Sequence, residues 1–270
     1  MRRFAIGVAI AWGCVAQPSF ADTGVSERLV CEAGHPRCVD LVLRNMERRL
    51  RALSRTCDHD AIFSLLYFRT TEKFEETLPA LGYGDTRAVV REDALFADYY
   101  FRAYDAYHRG WGYVPPAWQI TFEAAEQRAV SAIGNALLSM NAHIQRDLPF
   151  VLFELDRRGR PVSYADHLLV NEFLAQVDVA REIAARFDPA FATNIDPAVL
   201  QQLIVSWREL AFANYLRLRS AATLEAWLAV AADIERSTAE LARTFVQQTA
   251  YPAGTDSSAR DAFCGAAARP

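Results

Sequence analysis

The sequence predicts an all-α protein, a single-domain bundle of about seven helices with two disulfides. Apolar residues recur at three- and four-residue spacing through almost every segment, and runs of alternating polarity with frequent turns are absent. Of the 270 residues, 52% are hydrophobic and 23% are charged, which is enough apolar surface for a core and excludes a disordered chain. The net charge of −4 indicates no nucleic-acid-binding surface.

Residues 1–21 are expected to be a secretory signal peptide. Arg2 and Arg3 precede a mostly apolar run that is too short for a membrane anchor, and small residues precede a cleavage site after Ala21. A lipoprotein signal ending at Cys14 is the alternative, although it normally has a small residue where Trp12 stands. Residues 22–270 would then form one exported domain without a transmembrane anchor, periplasmic or extracellular, with 27 basic and 33 acidic residues and a net charge of −6.

Export gives the cysteines a structural role. Cleavage leaves four, an even number in an oxidising compartment. Gly34 and Pro36 disfavour a helix between Cys31 and Cys38, so a small loop closed by these two is expected, which leaves Cys57 to pair with Cys264. A metal site formed by Cys31, His35 and Cys38 is the alternative, but it lacks a second ligand pair at zinc-like spacing.

Seven helices follow from the periodicity. Two of their starts carry capping signals: Asp196 precedes Pro197, and Ser163 stands three residues before Asp166. A loop rich in glycine, proline and aromatic residues, 110–116, separates the third helix from the fourth. The helices are expected at 38–55, 58–78, 86–108, 116–155, 164–187, 197–220 and 223–248.

Two segments carry the residues of a candidate site. His143 and Asp147 are four positions apart and therefore share a helical face, as do His167 and Asn171, with Asp166 beside them. The loop 157–161 between the two helices is short, so we expect antiparallel packing that brings His143, Asp147, Asp166 and His167 together. The alternative is that each pair is structural, since exposed His–Asp pairs at this spacing are common and contribute little.

These five residues are the predicted catalytic set. A divalent metal ion, zinc or manganese, would be held by His143, Asp147, Asp166 and His167. His108, at the end of the third predicted helix and three positions after Asp105, is a further possible ligand.

The same segments resemble a known family. The stretch MNAHIQRDLPFVL, then DHLLVNEFL, preceded by YFRAYDAYHRGW and PPAW, is similar to the family called domain of unknown function 5995 (DUF5995), over roughly residues 60–220. The resemblance implies a helical fold and singles out His143, Asp147, Asp166, His167 and Asn171. It implies no reaction.

A more local similarity is to the exported, all-α zinc-dependent phospholipase C and single-strand nuclease proteins. His143 and Asp147 match that family's His-x-x-x-Asp ligand pair. Asn171 stands where the family has an acid, and cleavage after Ala21 would leave Asp22 where the family has an N-terminal tryptophan ligand.

Three functions are compatible with these features. The first is an exported, metal-assisted hydrolase of phosphoesters or esters with a small-molecule or lipid-like substrate. The second is a metal-free binding module of the cell envelope, in which Trp111, Tyr113 and Trp118 line a pocket for an apolar ligand. The third is a structural envelope protein whose polar side chains satisfy one another. A serine nucleophile is not indicated, because the sequence contains no G-x-S-x-G motif.

Overall fold

The protein is all-α, as the periodicity predicts. A computed structural model describes residues 30–193 and 196–267, so the predicted signal peptide lies outside the described residues. Within them are eleven α-helices, one π-helical turn (Asn141–Asp147) and one 3₁₀ turn (Phe191–Thr193). The helices are α1 (Arg37–Arg55), α2 (Ala61–Thr77), α3 (Thr86–Arg109), α4 (Pro116–Glu126), α5 (Ala132–Met140), α6 (Leu148–Arg157), α7 (Tyr164–Leu174), α8 (Ala180–Arg186), α9 (Pro197–Ser220), α10 (Leu224–Thr249) and α11 (Ser258–Ala267).

The prediction of about seven helices is too low, because two long segments are divided and α11 is additional. The segment 116–155 is interrupted after α4, where Arg128 adopts a left-handed conformation with φ of 52°. Val130 then forms an antiparallel bridge with Ala250, and the Ser131 side chain caps α5. The segment 164–187 is interrupted after Leu174. Pairing with a distant residue ends a helix that local periodicity alone would continue.

Pro149 follows directly after the residue that closes the π-helical turn. Proline has no N–H, so the carbonyl four residues before it loses its α-helical donor. One residue before the proline, the Leu148 N–H donates to the carbonyl of His143, five residues earlier, which is the hydrogen-bond pattern of a π-helix. A single π-helical turn inside a helix often occurs at a functional site, because it redirects side chains that α-helical geometry would place elsewhere.

Packing of the central helices determines which side chains meet. The π-helical turn lies against α9, α10, α3 and α4. The helix α6 packs along α9, whereas α7 packs on α2. Consecutive helices α6 and α7 therefore do not form the antiparallel pair expected from their short connection.

Both predicted disulfides are present. Cys31 is bonded to Cys38 and Cys57 to Cys264, with Cα–Cα distances of 4.9 and 5.9 Å. The alternative metal site at Cys31, His35 and Cys38 is therefore wrong, because a disulfide occupies both thiols. The bridge from Cys57 holds α11 against the start of α2. Disulfides are compatible with an exported protein.

Crossing a bilayer requires a helix that is both long and predominantly apolar. Across residues 30–193 and 196–267, no helix combines the length and apolar character needed to cross a bilayer.

Candidate functional site

His143 lies in an aromatic enclosure at the centre of the molecule. Its ring stacks on Phe96, with ring centroids 3.5 Å apart and an interplanar angle of 7°. Tyr67 and Phe63 present their rings at 4.5 and 5.6 Å. The imidazole is buried, and this burial lowers the pKa of His143 while the neighbouring carboxylate of Asp147 opposes the change.

Asp147 orients this histidine. Its Oδ2 accepts a hydrogen bond from Trp118 Nε1 at 2.8 Å and lies 3.3 Å from His143 Nδ1. Its Oδ1 accepts from Arg146 Nη1 at 2.9 Å, and Arg146 also contacts Glu235. Because a carboxylate accepts hydrogen bonds, we assign the imidazole proton to Nδ1. His143 Nε2 is then a free acceptor, and it has no hydrogen-bond partner among the described residues.

A cavity of about 110 Å³ lies beside His143 and is lined by side chains of α2, α3, α5, the π-helical turn, α7 and α9. Most of its wall is apolar. The apolar lining side chains are Phe63, Leu66, Phe74, Val89, Phe96, Met140, Ile144, Val170, Phe173, Leu174 and Ile204.

Five residues that line this cavity each carry a buried polar atom without a hydrogen-bond partner in the described part of the chain. The atoms are Tyr67 Oη, Thr71 Oγ1, Glu92 Oε2, Asp93 Oδ2 and His143 Nε2. Leaving one buried polar group unsatisfied costs roughly 1–3 kcal/mol, so five around one cavity are costly for a purely structural core. These five atoms are therefore available to hydrogen-bond a further group.

The two carboxyl groups have altered acidity. Burial raises the pKa of Asp93 from its ordinary 3.8 to about 8, with further increases from the nearby charges of Glu92 and Glu75. Burial also raises the pKa of Glu92, whereas Arg208 opposes that change. At neutral pH the empty cavity therefore favours a protonated Asp93, and any group that supplies positive charge would favour its ionisation.

Asp166 lies in a hydrogen-bond network separate from that of His143 and Asp147. Asp166 accepts hydrogen bonds from the backbone N–H groups of Gly84 and Asp85 and from the hydroxyl of Ser163. It therefore fastens the start of α7 to the loop before α3. His167 and Asn171 do not take part in that contact.

Arg208 binds both of those residues. Its Nε donates to Asn171 Oδ1 at 2.9 Å, and its Nη2 lies 3.3 Å from His167 Nδ1. Burial, together with the positive charge of Arg208, lowers the pKa of His167 to about 3. Arg208 also lines the cavity. The network of His143 and Asp147 and the network of Arg208, His167 and Asn171 therefore both reach it.

The five predicted catalytic residues thus belong to three separate hydrogen-bond networks. His143 and Asp147 contact each other, as the spacing predicts. The contacts of Asp166, His167 and Asn171 are made to other groups, because α7 packs on α2 while α6 packs along α9. Only His143 of the five lines the cavity.

The predicted metal ligands do not fit a metal ion. No three or more His, Cys, Asp or Glu side chains of the described residues are grouped so that they could hold one. Both oxygens of Asp147 already accept hydrogen bonds, and His167 faces a guanidinium that would repel a cation. His108 contacts Asp60, with Nε2 3.2 Å from Oδ2, rather than the other candidates.

The aromatic residues of the alternative pocket are also separated. Trp118 is fully buried against Asp147, whereas Trp111 and Tyr113 are 68% and 67% exposed. Those two border a surface groove together with Arg146. The predicted pocket lined by Trp111, Tyr113 and Trp118 is therefore wrong, because these three side chains do not line one cavity.

The sequence reasoning missed Glu92 and Asp93. A signal for them exists in the periodicity of α3, where Val89, Phe96 and Tyr100 follow one another at helical spacing toward the core. Glu92 and Asp93 lie between Val89 and Phe96, three and four positions after Val89, where this spacing normally has an apolar residue. Charged residues on an apolar stripe indicate a functional site more specifically than His–Asp pairs do.

The fold is all-helical, and its central helices surround a mostly apolar cavity beside His143. The chain matches the model described as "Family of unknown function (DUF5995)" over residues 39–248. It therefore belongs to the DUF5995 family, and the matched region extends beyond the segments that carry the resemblance in the sequence. No curated protein and no solved structure was found to match it.

Proposed function

We propose that this protein binds a small, predominantly apolar molecule in the cavity beside His143, without a metal ion. The observation that carries the proposal is the cavity wall, apolar over most of its area and furnished with five buried polar atoms that lack partners. Binding sites for small molecules have this composition: apolar surface supplies affinity, and a few polar groups determine orientation.

The size of the cavity limits the ligand. A cavity of roughly 150 Å³ holds benzene, which has six non-hydrogen atoms. By proportion, the 110 Å³ beside His143 accommodates about four or five. The ligand is thus a short molecule rather than a whole lipid, unless helices α2 and α7 separate.

A binding module has more support than a metal-assisted hydrolase. The hydrolase requires His143, Asp147 and a ligand from α7 around one ion, and their hydrogen bonds are directed to Trp118, Arg146 and Arg208 instead. The cavity needs no such rearrangement, because its polar atoms already lie in its wall.

The test is a titration of isotopically labelled protein, followed by NMR, with n-butanol, n-butylammonium and propionate as probes. We expect at least one probe to produce saturable shifts confined to cavity-lining residues. Val170→Phe fills the cavity and should abolish those shifts, whereas Val162→Phe, a buried valine outside the cavity lining, should retain them. Absence of saturable shifts with all three probes, in a folded protein, would overturn the proposal.

The same two variants report on the cavity itself. Overpacking a filled core costs typically 1–3 kcal/mol, and this is the expected loss for Val162→Phe. Val170→Phe should cost less than half as much, because its ring occupies empty space. Equal losses in urea unfolding would show that the space beside Val170 is not available to a ligand.

A further inference from the structure

We propose that the ligand of this cavity is a small alkylammonium ion. The inference rests on the proposed binding function and adds the charge and donor pattern of the ligand. Its basis is that all five unpartnered atoms in the wall are able to accept hydrogen bonds, and that two of them belong to carboxyl groups.

The acceptor character follows from each group. Glu92 and Asp93 are acceptors at every lone pair when ionised, and the hydroxyl groups of Tyr67 and Thr71 accept as readily as they donate. His143 Nε2 accepts because Nδ1–H is directed to Asp147. An alkylammonium group has three N–H donors and no acceptor, so it complements these atoms without placing lone pairs against one another.

The apolar wall suits the rest of such an ion. Aromatic faces attract a cation lying within about 6 Å of the ring centre, and the effect is larger where water is excluded. The alkyl chain would lie against aliphatic side chains on α2, α3 and α7. The aromatic rings in the lining are Phe63, Tyr67, Phe74, Phe96 and Phe173, and the aliphatic side chains are Leu66, Val89, Val170 and Leu174.

No cationic side chain of the described residues is hydrogen-bonded to these two carboxyl groups. Neither Glu92 nor Asp93 forms an ion pair within the described residues, and each has an unpartnered oxygen. Arg208 attracts Glu92 electrostatically, but its hydrogen bonds go to Asn171 and His167. A bound ammonium ion would supply a hydrogen-bonding cation to the neighbouring carboxyl groups of Glu92 and Asp93.

A small carboxylate is the competing ligand, because Arg208 lines the same cavity. To bind a carboxylate, the cavity would need both Glu92 and Asp93 to be protonated. The carboxylate would also be repelled by the lone pair of His143 Nε2 and by the negative charge of Asp147, which contacts the other ring nitrogen. The ammonium ion meets no like charge except that of Arg208. The wall therefore favours the cation, and propionate serves as the opposing probe.

Binding of the cation should displace a proton. The titratable and charged groups around Asp93 are Glu92 on its own helix, Glu75 and Tyr67 on α2, His143 in the π-helical turn and Arg208 on α9. With a pKa of about 8 for Asp93, affinity should rise about tenfold from pH 6 to 7 and about fivefold from pH 7 to 8. Calorimetry at pH 7 in two buffers of different ionisation enthalpy should show release of up to one proton.

The deciding experiment compares n-butylammonium, n-butanol and propionate by isothermal titration calorimetry at pH 8. These probes have five non-hydrogen atoms each and differ in charge. We expect n-butylammonium to bind at least tenfold more tightly than n-butanol, and propionate to bind most weakly. Asp93→Asn should remove the preference for n-butylammonium over n-butanol, whereas Asp98→Asn, exposed on the same helix and outside the cavity lining, should retain it.

The outcomes separate the two proposals. If n-butanol or propionate binds as tightly as n-butylammonium, the ammonium inference is overturned and the binding function stands. Retention of the preference in Asp93→Asn also overturns the inference. If no probe binds to the folded protein, the binding function fails as well.

Discussion

Asp93 provides the sharpest test of the cavity's electrostatics. Replacement by asparagine preserves the size of the side chain and removes the group that ionises. The pKa of Asp93 is about 8 in the folded protein against an ordinary 3.8, chiefly because of burial, so ionisation opposes folding. The stability that Asp93 contributes is complete below pH 4 and is lost progressively as the pH rises to about 8.

The size of the effect follows from the two pKa values. Their difference corresponds to roughly 6 kcal/mol once the pH exceeds 8, at 1.36 kcal/mol for each pKa unit. Because Asp93 is only partly buried and solvent screens part of its charge, we expect about half of that. Asp93→Asn should therefore be more stable than the natural protein by about 2–3 kcal/mol at pH 9, and nearly equal to it at pH 4.

Urea unfolding, followed by circular dichroism at unit steps from pH 4 to pH 9, measures this difference. Asp98→Asn is the matched control, since that carboxylate is exposed and paired with Arg102, and its difference from the natural protein should stay within about 0.5 kcal/mol. A difference for Asp93→Asn that does not change with pH, or greater stability of the natural protein at pH 9, would refute the assignment of Asp93 as a buried, protonated acid. Gain of stability with loss of cation binding is the expected pattern for a functional residue.

Three further predictions concern the surrounding structure. Trp118→Phe removes the indole donor from a buried carboxylate and should cost about 1–3 kcal/mol in urea unfolding, whereas a cost below 0.5 kcal/mol would contradict that hydrogen bond. Combined Cys57→Ser and Cys264→Ser substitution opens a bridge spanning 207 positions and should cost about 4–5 kcal/mol; a loss under 1 kcal/mol would show that the bridge does little to restrict the unfolded chain. His143→Ala and Asp166→Ala should be additive within about 0.5 kcal/mol in a double-mutant cycle, because their hydrogen-bond networks are separate, and a larger coupling energy would show that the two networks act together.

Much of the architecture follows from local properties of the sequence. Apolar spacing and capping side chains locate most helices, since both depend on residues within one or two turns. Ser163 accepts from the Asp166 N–H and Asp196 from the Ala198 N–H, as their positions before helices predict. The disulfide pairing also follows, because a short loop closed by Cys31 and Cys38 leaves one possibility for the other two cysteines.

The breaks within the long helices depend on distant partners. Val130 pairs with Ala250, and the Ser131 N–H donates to the carbonyl of Thr249, so the end of α4 depends on a segment more than a hundred residues away. Periodicity in one segment holds no information about that pairing. For the same reason, the sequence predicts one helix where the structure has α4, α5, the π-helical turn and α6.

The site shows the same division between local and tertiary information. Helical spacing alone determines that Asp147 orients His143, because residues four apart share a face. That Asp166 lies in another network, and that Glu92 and Asp93 border the cavity beside His143, was decided by the packing of α7 on α2 and of the π-helical turn against α3. Burial sets the acidity of those carboxyl groups, and burial is a property of the assembled helices, so their chemistry became visible only in the tertiary structure.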